Sequence, residues 1–150
     1  MKKLIMAATL LAACHTSPPV VVSTATRPTN GNVTGGADAL GAVRAFMAAA
    51  KQQDLQALGG VWGNSSGPAR DAISREELEK RELIMMRCLR HDRYDIAGEA
   101  PNPGGSRAMV VNLTYKDVSR STNFVVVRGP ANRWYVEKFD LDPLQGICLA

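Results

Sequence analysis

The spacing of apolar residues changes once along the chain, between residues 90 and 94, and this change limits the fold more than any other feature of the sequence. Before the change, apolar residues recur at helical spacing, as Leu40, Val43 and Met47 do after the capping residue Asp38. After it, apolar and polar residues alternate through four segments that predict strands. Helices followed by strands with short connections predict an α+β fold, in which N-terminal helices pack on a curved antiparallel sheet.

Three helices are predicted before the change in spacing. Asp38 and Asp54 are the expected caps of the first two, and the sequence GNSSGPARDAI after them predicts a loop. Ser74 and Glu77 have the spacing of a capping box, which predicts a charged third helix that runs to about Arg90. The inner stripe of this helix is expected to comprise Leu78, Met85, Cys88 and Leu89.

The last predicted strand, RWYVEKF, contains the carboxylate of Glu137, and its role depends on the face of the sheet that Glu137 occupies. Strict alternation places Trp134 and Val136 on one face, and Tyr135, Glu137 and Phe139 on the other. If the Trp134 face meets the helices, the carboxylate is solvated. If the sheet is covered on both faces, it becomes a pocket acid.

The first residues have the pattern of a secretory signal. Lys2 and Lys3 precede the apolar run Leu4–Leu11, which is too short to span a bilayer core that needs about 20 apolar residues. We therefore predict a signal peptide at residues 1–13. Residues 14–36 are rich in Ser, Thr, Pro and Gly and predict a flexible tether, and residues 37–150 have the length of one domain.

The signal ends in Leu11-Ala12-Ala13-Cys14, which resembles the bacterial lipoprotein signal. The resemblance implies cleavage before Cys14 and a diacylglyceride joined to its sulfur, with membrane lipid as a partner. His15 follows where an aspartate would favour the inner membrane, so the resemblance implies the periplasmic face of the outer membrane if the host has one. The alternative is an ordinary cleaved signal with Cys14 as a free thiol.

The charge of the chain disfavours nucleic acid as a partner. The formal net charge is +4, and removing Lys2 and Lys3 with the signal leaves 16 basic against 14 acidic residues. Basic and acidic side chains are also interspersed between Arg70 and Asp95, whereas nucleic-acid binding requires a clustered basic face.

Two cysteines remain when Cys14 is set aside. Cys88 and Cys148 form an even pair in a compartment that permits disulfides, and we predict a bond between them. Closing a loop of this length would stabilise the fold by about 4 to 5 kcal/mol in the chain-entropy model. The alternatives are two buried free thiols, or a reactive Cys88 with His91 nearby.

The order of elements resembles the nuclear transport factor 2-like superfamily, which includes SnoaL-like polyketide cyclases and ketosteroid isomerase. The features that carry the resemblance are a first helix that breaks at residues 51–54, two further helices, and a sheet that ends in the aromatic strand at residues 133–140. The resemblance implies a cone-like fold with a pocket between helices and sheet. Its enzymes place an acid or base there, opposite a tyrosine or histidine.

The predicted pocket residues are Tyr94, Tyr115, Tyr135 and Glu137, with His91 as a further polar candidate. None of them lies in a catalytic motif, so we assign no catalytic residue. His91 is interpreted as a cationic complement to a helix end, and without a second histidine in the domain no metal site is predicted. The glycine pairs of the chain lack the pattern of a phosphate loop, and no cofactor is predicted.

Three functions follow from these features. The favoured one is an envelope lipoprotein whose domain is a non-enzymatic binding module for a protein partner or a small apolar ligand. The second is a small-molecule isomerase or cyclase that uses a pocket carboxylate. The third is a structural envelope protein. A hollow interior with a buried carboxylate would favour the enzyme, and an interior filled with apolar side chains would disfavour it.

Overall fold

The computed structural model describes residues 34–150. The predicted signal peptide, Cys14 and most of the predicted tether lie outside these residues. The described part contains four helices, a two-stranded hairpin and a four-stranded antiparallel sheet. The helices are α1 (Ala39–Gln52), α2 (Leu55–Val61), α3 (Arg75–Cys88) and α4 (Gln145–Cys148). The strands are β1 (Gly63–Asn64), β2 (Gly67–Pro68), β3 (Arg93–Pro101), β4 (Arg107–Tyr115), β5 (Val118–Arg128) and β6 (Trp134–Phe139). The α+β class is confirmed.

Both predicted aspartate caps are confirmed. Asp38 Oδ1 accepts a hydrogen bond from the Gly41 N–H at 2.6 Å, and Asp54 Oδ1 accepts one from the Ala57 N–H at 3.0 Å. Each bond satisfies one of the amide groups that the first turn of a helix leaves without a partner. The chain turns between α1 and α2 at Gln53, which has a left-handed backbone with φ of 55°.

The prediction of a capping box at the start of α3 is wrong, although the helix begins where it was predicted. Ser74 occupies the N-cap position, but its side chain accepts no hydrogen bond. Glu77 instead pairs with Arg81 one turn later at 2.6 Å. Two more pairs with the same spacing, Arg75–Glu79 and Glu76–Lys80, stabilise this charged helix surface. The predicted inner stripe of α3 is buried, as expected.

The segment between α2 and α3, predicted as a loop, is more ordered than expected. β1 and β2 pair as a short antiparallel hairpin, and a turn of 3₁₀ helix follows at Ala69–Asp71. Gly63 permits this pairing, because a Cβ at that position would overlap the backbone of Gly67.

The main sheet is a meander in the order β3-β4-β5-β6. All three pairs of neighbouring strands are antiparallel, as predicted. The free edge of β6 is partly covered, because Gly36 bridges Trp134 and Trp62 bridges Val136. These bridges fix the start of the described chain and the end of α2 against the sheet.

Two bulges interrupt the regular pairing of the sheet. The register shifts between Ile96 and Gly98 on β3, and again on β6, where Val136 pairs with Val126 and Lys138 pairs with Val125. Glu137 is therefore an extra residue on β6, and the alternation predicted for this strand is wrong beyond it. Bulges of this kind bend a strand and increase its twist.

The second bulge moves Phe139 to the face that meets the helices. Phe139 is the register partner of Phe124, and the two rings stack at a centroid distance of 5.1 Å. Phe46 of α1 contacts both rings edge-on, at 5.9 Å in each case. The predicted placement of Phe139 beside Tyr135 is therefore corrected.

The space between the helices and the sheet is filled by apolar side chains. Phe46 and Met47 of α1 and Met109 and Phe124 of the sheet have no exposed surface, and Leu113 is 1% exposed. Two fully buried residues near the end of the chain complete this core: Ile147 of α4, and Leu144 of the turn before it. The core between helices and sheet is solid at these positions.

Candidate functional site

The four predicted pocket residues do not form a single site. Tyr94 pairs with Leu113, so it shares the inner face of the sheet with Tyr115, two residues further along β4. Tyr135 lies on the opposite face, at the far side of the sheet. Glu137 is exposed at the bulge, where its backbone carbonyl accepts a hydrogen bond from Trp62 Nε1 at 3.3 Å.

Tyr135 has a structural role. It is 1% exposed, and burial raises the pKa of its hydroxyl. Its ring closes against Gly35 and Gly129, where any added Cβ would lie within about 3 Å of the ring. The tyrosine therefore seals the outer face of β6 beneath the start of the described chain.

Cys88 and Cys148 lie at disulfide-bonding distance, which is the pairing that the cysteine count predicts. The bond joins the last residue of α3 to the last residue of α4. Arg87 strengthens the same junction, because its Nε donates to the Cys148 carbonyl at 2.6 Å. Arg90 Nη2 donates to the carbonyls of Ile147 and Ala150 at 3.0 and 2.7 Å. Cys14, the predicted lipidation residue, lies outside the described residues.

A depression of about 350 Å³ lies where the end of α1 meets the start of β3. We call it the His91 depression, and its lining residues are Ala48, Lys51, Gln52, His91, Asp92, Arg93 and Tyr94. The imidazole of His91 packs edge-on against the Tyr94 ring at a centroid distance of 5.1 Å. Two of the predicted candidates, Tyr94 and His91, therefore do meet, but at a surface depression and outside the core.

The hydrogen bonds of His91 define its tautomer. Nδ1 lies 2.7 Å from the Leu89 carbonyl oxygen, and since this oxygen can only accept, Nδ1 carries the proton. Nε2 therefore presents a lone pair, and it is a buried atom with no hydrogen-bond partner among the described residues.

Burial lowers the pKa of His91, and the nearby Lys51 lowers it further, while the hydrogen bond to Leu89 and the Asp92 carboxylate raise it. Burial therefore favours the neutral imidazole. The interpretation of His91 as a cationic partner of a helix end is corrected, because burial disfavours the charged form.

Glu82 is a buried carboxyl group that the sequence did not predict. It is 1% exposed, and its Oε1 has no hydrogen-bond partner among the described residues. Burial, with smaller contributions from Glu79 and Asp54, raises its pKa to about 7. Oε1 lies against Gly59 of α2, where an added Cβ would be 2.6 Å away. The glycine, which weakens α2 as a helix, therefore makes room for this carboxyl.

Residues 34–150 hold no cluster of three or more His, Cys, Asp or Glu side chains placed to bind a metal ion. Within the same residues, none of the helices combines the length and the apolar character needed to cross a bilayer. No protein-family model matches the chain, and no curated protein or solved structure matches it at a significant level.

Proposed function

We propose that this protein is an envelope lipoprotein, anchored through Cys14, whose folded domain is a non-enzymatic binding module. The observation that carries the proposal is the solid core, in which Phe46, Met109 and Phe124 fill the position that a substrate cavity would occupy. Binding then takes place on the surface, where depressions such as the one at His91 are open to solvent.

The anchor is supported by the sequence before the domain. Lys2, Lys3 and the apolar run precede Leu11-Ala12-Ala13-Cys14, and the intervening tether would let the domain stand off from a membrane. Two or three acyl chains give stable attachment, whereas one gives marginal binding. His15 after the cysteine favours the outer membrane in a host that has one.

The anchor is tested by replacing Cys14 with serine and following a labelled fatty acid. The wild-type protein should carry the label and sediment with membranes, and Cys14→Ser should do neither. Cys148→Ser is the matched control, because it removes a cysteine of the domain and should leave labelling intact. Label in Cys14→Ser at the wild-type level would refute the anchor.

The binding role is tested with a photo-crosslinking residue at Gln52, an exposed residue that lines the His91 depression, in cells that make the full chain. The expected result is a discrete adduct at this position and none at Ser121, which is exposed on the outer face of the sheet. Equal adduct formation at both positions, or none at either, would contradict a binding module that uses this surface.

We also propose that the domain is a member of the nuclear transport factor 2-like superfamily. The support is the order of its elements, with three helices before an antiparallel meander, and the two bulges that bend β3 and β6. In that cone-like fold the helices would close over the concave face of the sheet, and here the closed space is packed.

The second candidate function is a small-molecule isomerase or cyclase, and Glu82 is the observation that favours it. A carboxyl with a pKa near 7 is suited to general acid–base catalysis at neutral pH. None of the four surface depressions described in the chain is lined by Glu82, however. A water-soluble carbodiimide and a small amine should leave Glu82 unmodified in the folded protein while modifying Glu76, and rapid modification of Glu82 would favour the enzyme.

A further inference from the structure

His91, which lines the depression, carries an unused hydrogen-bond acceptor. His91 is 7% exposed and lines the depression, yet its Nε2 is buried without a partner within residues 34–150. A buried acceptor left without a donor costs free energy, whereas a ligand that donates a hydrogen bond to it recovers that cost. The Nδ1–H bond to Leu89 holds the ring in the tautomer that such a ligand needs.

The rim of the depression is cationic. Lys51 and Arg93 both line it, and within the described residues neither forms an ion pair with a carboxylate. Lys51 Nζ donates to the backbone carbonyl of Asp92 at 3.1 Å and retains further donors. The Asp92 carboxylate also lines the depression, where its Oδ2 accepts the Lys116 N–H at 2.6 Å, and the two cationic side chains outnumber it.

The wall of the depression is apolar and aromatic. The half-buried Tyr94 ring and the Ala48 methyl group supply it, together with the neutral imidazole of His91. A flat apolar body fits such a wall, since aromatic rings gain from edge-on and offset contacts. A volume of about 350 Å³ accommodates one small molecule.

From these three features we propose that the His91 depression binds a small aromatic carboxylate that carries a hydroxyl group. The hydroxyl donates to His91 Nε2, the carboxylate lies near Lys51 and Arg93, and the ring contacts Tyr94. No bond is formed or broken. This inference rests on the proposed binding function and names the chemical class of its ligand.

The test compares ligands that differ in one group. The probes are 2-, 3- and 4-hydroxybenzoate. Benzoate is the control compound that lacks the hydroxyl group, and 4-hydroxybenzyl alcohol is the control compound that lacks the carboxylate charge. Affinity for the purified full-length protein is measured by calorimetry, and the His91 ring nitrogens are followed by NMR. At least one hydroxybenzoate should bind at least fivefold more tightly than benzoate and shift the Nε2 resonance.

Variants separate the two recognition elements. His91→Phe should remove the advantage of the hydroxybenzoate over benzoate. Lys51→Gln should weaken the binding of the carboxylates and leave the affinity for 4-hydroxybenzyl alcohol unchanged. Because Lys51 is exposed, this variant should fold normally. Lys138→Gln, which removes an exposed lysine of β6, is the matched control and should change no affinity.

The proposal is overturned if no hydroxybenzoate binds fivefold more tightly than benzoate. It is equally overturned if His91→Phe still binds a hydroxybenzoate more tightly than benzoate. It is also overturned if Lys51→Gln and Lys138→Gln behave alike. A crosslinked adduct at Gln52 alongside these failures would leave the binding module standing and reject this ligand class alone. Failure of both experiments would reject the proposed function as well.

Discussion

Glu82 gives this domain a pH dependence that can be calculated from the structure. The folded protein holds its pKa at about 7, because its carboxyl is buried between α3 and Gly59 of α2, whereas the ordinary value is 4.5. Below pH 4.5 the group is neutral in both the folded and the unfolded state. As pH rises above this value, the unfolded chain releases the proton first, and ionisation therefore favours unfolding.

The magnitude follows from the difference between the two pKa values. Each pKa unit corresponds to about 1.4 kcal/mol, so the free energy of unfolding should fall by about 3 kcal/mol between pH 4.5 and pH 7 and then level off. This is a large fraction of the stability of a small domain, which is about 5 to 15 kcal/mol.

The assay isolates this contribution by comparing the wild-type protein with Glu82→Gln. Urea unfolding is followed by tryptophan fluorescence at five pH values from 4 to 8, with the disulfide intact. The two proteins should be similar at pH 4, and the variant should be more stable by about 3 kcal/mol at pH 8, since a glutamine has no charge to bury. Glu76→Gln, on the exposed face of the same helix, is the control and should show no such divergence.

A Glu82→Gln curve that runs parallel to the wild-type curve across this range would refute the reasoning. So would a variant less stable than the wild type at pH 8. Either result would mean that the carboxyl finds a partner or water in the folded protein and keeps its ordinary pKa.

Three further perturbations test the packing. Replacing Cys88 and Cys148 with serine should lower the free energy of unfolding by about 2 to 5 kcal/mol, and alkylation of two free thiols in the unreduced protein would contradict the bond. Gly63→Ala should destabilise the protein because its methyl group would overlap the backbone of Gly67, whereas Gly98→Ala, with open space around it, should be tolerated in the same thermal melt. Phe124→Ala should cost about 3 to 5 kcal/mol in urea unfolding, and a cost below about 1 kcal/mol would contradict the solid core.

The elements of the fold were predictable because their signals are local. Asp38 and Asp54 cap helices through bonds to residues three positions later, and this spacing is visible in the sequence. The alternation in β4 likewise survives in the structure, since Met109, Val111 and Leu113 are all buried. Local signals of this kind predict which elements form and where they begin.

The position of Phe139 was not predictable, because it depends on how β6 pairs with its neighbour. A single extra residue at Glu137 reverses the faces of every residue after it. Nothing within RWYVEKF marks that residue as a bulge, since the shift follows from the register with β5 and from the contacts of the Phe46 and Phe124 rings.

The candidate site was predictable only in fragments. Tyr94 and His91 were singled out, but their meeting with Lys51 across 40 residues of chain is a tertiary contact. Glu82 was missed although it lies one helical turn from both Leu78 and Met85, on the inner stripe of α3. Charged residues are rarely buried, so the default expectation placed it outside. Gly59 of α2, which leaves room for the Glu82 carboxyl, was the one sequence feature that could have indicated this burial.

The most direct test of the central claim, a lipid-anchored domain closed by one disulfide, is the intact mass of the protein purified from the membranes of its own host. We expect a chain that begins at Cys14, carries the mass of a diacylglyceryl group with or without a further acyl chain, and gains two hydrogens on reduction. A chain that retains residues 1–13, or one that begins at Cys14 without lipid, would contradict it.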